Sequence, residues 1–114
     1  MKEITLKQLT QLVMQQAKEK GFGTKPKETN VPEKIVLIHS EISEAYEAYR
    51  NKKMRGKGGF EEELGDALQR ILHLAGSLNI DIEKAVFKKM KSNKKRTWDW
   101  TKLNENHEAP ARNH

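Results

Sequence analysis

The sequence predicts an all-α fold, a four-helix bundle with helices over about residues 5–20, 32–50, 60–78 and 82–96. Three observations carry this. Apolar residues recur three and four apart through each segment, the breaks between segments are short and the first two bear Gly, and no alternating run is long enough for a sheet. A chain of 114 residues suits one compact domain. That domain is expected over residues 1–100, with 101–114 as a flexible C-terminal tail.

In the first helix, Thr5 and Gln8 have capping-box spacing, Leu6, Leu9, Leu12, Val13 and Ala17 keep the period, and Gly21 is the stop. Residues 21–31, with two glycines and Pro26, read as loop. Asn30 and Glu33 start the second helix, with Pro32 in the first turn, where its missing N–H costs nothing. Ile35, Ile38, Ile42, Ala45 and Tyr49 are its expected buried stripe. After a Gly-rich basic loop over 51–59, Phe60, Leu64, Ala67, Leu68, Ile71, Leu74, Ala75 and Leu78 keep the period of the third helix. Asp81 is placed to cap the fourth, which carries Ile82, Ala85, Val86 and Met90 before turning basic. Val36, Tyr46 and Leu72 fall off these seams at 100° per residue. Extra apolar positions imply a second packing partner, so a homodimer or homotetramer is expected.

The chain has 22 Lys and Arg against 16 Asp and Glu, a net charge of +6, and no cysteine. Disulfides, thiolate nucleophiles and zinc-thiolate sites are excluded. No apolar run approaches the roughly 18 to 20 residues that cross a bilayer, and Met1-Lys2-Glu3 opens no signal-peptide pattern. A soluble cytoplasmic protein with no membrane partner is the expectation. The sequence pI near 9.6 suggests a phosphate or nucleic-acid partner. Residues 88–114 hold eight basic and three acidic side chains, whereas acids concentrate at Glu41–Glu44 and Glu61–Asp66.

Glu41 and Glu44 are three apart on the second helix, beside its buried stripe, in a row that continues to Leu37 and Ala48. Glu63 and Asp66 repeat the spacing on the third. Antiparallel packing would aim four carboxylates at one another, and such a group repels unless a cation compensates it. All-oxygen anionic ligands suit Mg²⁺ or Mn²⁺. A di-iron site needs Glu-x-x-His pairs, and none is present: His73 has Arg70 three residues before it. Spacing alone fits a solvated charged face paired with lysines equally well.

The set Leu37-Ile38-His39-Ser40-Glu41-Ile42-Ser43-Glu44-Ala45, Glu62-Glu63-Leu64-Gly65-Asp66, Ile80-Asp81-Ile82-Glu83-Lys84-Ala85 and Lys89-x-x-x-Asn93-x-x-Arg96 resembles the MazG-like branch of the all-α nucleoside triphosphate pyrophosphohydrolases. The likeness covers about residues 30–96. The family pattern is E-E-x-x-E, a spacer, then E-x-x-D; this chain departs from it at Ser40, where a Glu is usual. The resemblance implies a single MazG-like helical domain in which Glu41, Glu44, Glu63 and Asp66 ligate Mg²⁺, and Lys89, Asn93 and Arg96 face the substrate phosphates. It further implies hydrolysis of a nucleoside triphosphate between the α and β phosphates, giving a monophosphate and pyrophosphate. Glu41 or Glu44 is then the candidate base for the attacking water.

An aromatic after the first helix stacks the base in similar proteins. Phe22 stands there, and folding of its ring into the core is the equal alternative. Trp98 and Trp100 are read as anchors of the tail, and His39 and His73 receive no role. Two other functions compete. A phosphoribosyl-ATP pyrophosphohydrolase would use a similar site, but Gly65-Asp66-Ala67-Leu68-Gln69 lacks that branch's Ala-Asp-Leu-x-Tyr-His pattern. A non-catalytic helical module would bind nucleic acid through the basic C-terminal segment, a reading ranked below one nucleotide as ligand.

Overall fold

The computed structural model describes residues 3–96. They form α1 (Leu6–Glu19), a 3-10 turn (Pro26–Glu28), α2 (Val31–Arg50), α3 (Phe60–Ser77) and α4 (Ile82–Lys95), with no strand among them. The all-α class and the four helix positions agree with the sequence reading. The chain divides into two units, Met1–Ile82 and Glu83–His114. α1, α2 and α3 belong to the first, and α4 from Glu83 onward to the second. Trp98, Trp100 and the tail over 101–114 lie outside the described residues. No described helix is long and apolar enough to cross a membrane.

Local chemistry sets the helix starts. The Gln8 N–H donates to Thr5 Oγ1 at 3.0 Å, while the Thr5 N–H donates to Gln8 Oε1 at 2.7 Å, closing the expected capping box. Asn30 Oδ1 accepts from the Glu33 N–H at 3.1 Å, with Pro32 in the first turn.

The ends of α1, α2 and α3 share one device. After each, a residue turns to positive φ: Gly21 at 84°, Lys52 at 59° and Asn79 at 60°. The next N–H then reaches back, from Phe22 to Ala17 O, Lys53 to Ala48 O and Ile80 to Ala75 O, each at 2.9 Å. These are Schellman caps, which satisfy carbonyls that the helix leaves open. The first of them fixes where Phe22 leaves the helix.

α3 packs against both α1 and α2. This corrects the predicted seams. Leu72, expected off the seam, is 1% exposed and the deepest large side chain of the described core. A helix gripped on two sides needs a wider buried face than one stripe provides. Ile35, Ile42 and Tyr49 on α2, and Leu64, Leu68 and Ile71 on α3, are exposed instead. On α2 the buried face runs along Leu37, Glu41, Ala45 and Ala48, with Glu41 half-buried and Glu44 exposed, so the acidic pair lies at the edge of the core as expected. Val36 and Tyr46 are exposed as expected. Alanines dominate the buried apolar set: Ala17, Ala45, Ala48, Ala67 and Ala75 accompany Leu72. Small side chains let α2 and α3 approach closely enough for carboxylates on the two helices to meet.

Candidate functional site

The loop over residues 51–59 sets the register of α2 against α3. Lys53 O and Met54 O accept from the Phe60 and Glu61 N–H groups at 2.9 and 3.0 Å, tying the loop to the start of α3. The acidic start of α3 is then divided by direction. Arg55 Nε donates to Glu61 Oε2 at 3.1 Å, and Glu62 Oε1 accepts from the Gly58 N–H at 3.3 Å. Glu61 and Glu62 thus staple the loop, while Glu63 turns inward and is only 8% exposed.

Glu41, Glu63 and Asp66 each bring a carboxylate oxygen within 4.8 Å of the others. Glu44 joins them through a side-chain hydrogen bond with Glu63. Three of the four predicted ligands therefore meet directly, and Glu44 adjoins the group at Glu63. A hydrogen bond between two carboxyls requires a proton on one of them, and it holds Glu63 up to about 7 from an ordinary 4.5. Burial adds to the shift, followed by the charges of Glu44, Glu41 and Asp66. A half-buried set of anionic oxygens of this kind fits a hard divalent cation, whose charge would replace the shared proton.

Beside the carboxylates opens a cavity of about 350 Å³. Glu41 and Asp66 form part of its wall, and so does Phe22, which is 59% exposed rather than folded into the core. The Phe22 ring meets His73 edge to face, with centroids 6.5 Å apart, and His73 Nε2 is 2.8 Å from Gly23 O. That contact ties the loop after α1 to α3. Gln69 Nε2 donates to Gln16 Oε1 at 3.2 Å across the wall between α1 and α3. Arg70 Nε donates to Glu41 Oε1 at 3.0 Å, linking cavity and acidic group.

Lys89, Asn93 and Arg96 lie on or just beyond α4, in the second unit, with Lys89 and Arg96 exposed and Asn93 half-buried. Sequence reasoning missed Lys34, Arg70, His73 and the Gln16–Gln69 pair. A signal was present for two of them. Lys34 precedes Glu41 by seven residues, and Arg70 follows Glu63 by seven and Asp66 by four, so each shares a helix row with a ligand.

Compared with known proteins, the chain matches no family model, no curated protein and no solved structure.

Proposed function

We propose that the protein is a Mg²⁺-dependent nucleoside triphosphate pyrophosphohydrolase, cleaving an NTP or dNTP between the α and β phosphates in nucleotide-pool cleansing. One observation carries the reading: the carboxylates of Glu41, Glu63 and Asp66, from two helices, lie close together, and two of them, Glu41 and Asp66, line a cavity that also holds an aromatic ring, amides and cations. A solvated charged face needs none of these neighbours. The MazG-like resemblance supplies the same function from the motif order.

In this reading Glu41, Glu44, Glu63 and Asp66 hold Mg²⁺, with Mn²⁺ as a substitute. The ion supplies neutralisation of phosphate oxygens and acidification of a water. Glu44 is the more exposed of the two candidate bases and has no guanidinium partner among the described residues, so it takes the proton of the attacking water. Phe22 offers its exposed ring to the base. Lys89, Asn93 and Arg96 contact phosphate oxygens, as the resemblance implies, and the enzyme acts in the cytoplasm as a homodimer or homotetramer.

The test is incubation with a panel of NTPs and dNTPs in Mg²⁺ or EDTA, with the products resolved. Monophosphate plus pyrophosphate, formed only with the metal, is expected; diphosphate plus orthophosphate contradicts the cleavage site. Metal-independent binding of DNA or RNA with steep salt dependence, and no hydrolysis, would replace the reading with the nucleic-acid module.

A further inference from the structure

The cavity beside the carboxylates is lined by three cations from three elements: Lys20 at the end of α1, Lys34 on α2 and Arg70 on α3. Neither lysine forms an ion pair with a described residue. Lys34 is half-buried, so its stem packs against the protein beside the cavity that it lines. The Arg70 bond to Glu41 uses Nε, and the two Nη groups take no part in it. Two acids and three cations lining one cavity suit a ligand that is itself polyanionic and chelates a metal.

We propose that Arg70, Lys34 and Lys20 form a phosphate-binding wall within the first unit, with Arg70 passing from Glu41 to a phosphate oxygen when a divalent cation takes over Glu41. The inference rests on the nucleotide reading above and adds phosphate contacts that the resemblance does not imply. The charge exchange is balanced. Glu41 loses a guanidinium and gains a metal ion, and the released guanidinium meets a new anion in the same cavity. A planar guanidinium grips two phosphate oxygens at once, whereas the lysines act as point charges. In the cation-free protein the Arg70–Glu41 bond spans α3 and α2 and neutralises one member of the acidic group.

Binding of inorganic tripolyphosphate and of α,β-methylene dNTP analogues, measured by calorimetry in Mg²⁺, tests the wall. The wild type is compared with Arg70→Gln, Lys34→Gln and, as a charge control in the 51–59 loop, Lys57→Gln. Loss of one charge-assisted contact weakens binding about tenfold to a hundredfold, so Arg70→Gln and Lys34→Gln should weaken both probes by at least about tenfold. Lys57→Gln should not. Mg²⁺ affinity without nucleotide should be equal or tighter in Arg70→Gln, because Glu41 has lost its competing cation. Wild-type affinity for both probes in Arg70→Gln and Lys34→Gln overturns the wall, and with a changed Mg²⁺ affinity it leaves Arg70 as a counterion of Glu41 only. If the wild type neither binds the analogues nor hydrolyses any NTP, the functional reading itself fails, a result distinct from loss of the wall alone.

Discussion

Glu63 concentrates the electrostatics of the site in one side chain. Held up to about 7 by its bond with Glu44, by burial and by three neighbouring acids, it keeps its proton more tightly in the folded protein than in the unfolded chain, where it titrates near 4.5. Between those values the unfolded chain ionises first. The contribution of this group to stability therefore falls as pH rises from about 4.5 to about 7 and is lost above that. In EDTA, thermal unfolding should show this fall, Glu63→Gln should remove it, and Mg²⁺ should restore the wild type at neutral pH without restoring the variant. A wild type in EDTA whose stability climbs steadily over that pH range would contradict the assignment. Substitution at the partners tests the chemistry: Glu44→Gln and Asp66→Asn should each lower Mg²⁺-dependent kcat/KM by at least about 100-fold. Either variant retaining full activity removes its residue from the ligand set.

The helices and their ends were legible because the relevant chemistry is local. Thr5 with Gln8, Asn30 with Pro32 and Glu33, and Gly21 each declare a boundary within a few residues. Which face of α2 is buried was legible only in part: Ala45 of the expected stripe is buried and Ile38 half-buried, but Ile35, Ile42 and Tyr49 are exposed, and Leu37 and Ala48 pack instead. The acidic set could be read from i, i+3 spacing on two helices. The cavity could not, because it is assembled from α1, the loop after it, α2 and α3, which no spacing rule connects. The Schellman end of α2 was also silent, as Lys52 occupies a left-handed position that glycine fills without strain. Lys52→Gly should stabilise the protein by about 0.5 to 1 kcal/mol, read as a higher urea midpoint at constant m-value. Gly59 behaves oppositely. A Cβ there would lie 2.7 Å from Arg55 O, a backbone atom of the loop that sets α2 against α3. Gly59→Ala should cost about 1 to 3 kcal/mol and weaken Mg²⁺ binding with it, because the register that joins Glu41 to Glu63 depends on the loop.

At the scale of the whole molecule, the described core is too slight for the apolar surface left outside it. Among the described residues, Leu72 is the one buried hydrophobic larger than alanine. Meanwhile Ile35, Ile42, Tyr46 and Tyr49 form one row on α2, and Leu64, Leu68 and Ile71 form another on α3. Gln69, His73 and Gly76, which meet α1 or the loop after it, occupy the other side of α3, so the α3 row lies away from α1. Together the two rows expose on the order of 600 Å², more than scattered surface residues account for and close to one partner's share of a standard interface. A second copy of the chain is the partner present wherever the protein is made, which is why the proposed function includes a homo-oligomer. Light scattering at micromolar concentration should give a mass at least twice the 13.2 kDa of one chain. Ile42→Asp combined with Leu68→Asp should reduce it to one chain while the helical circular dichroism persists, since both side chains already face outward in the single chain. A wild-type mass of 13.2 kDa would instead leave these rows as plain surface and the protein complete in one copy.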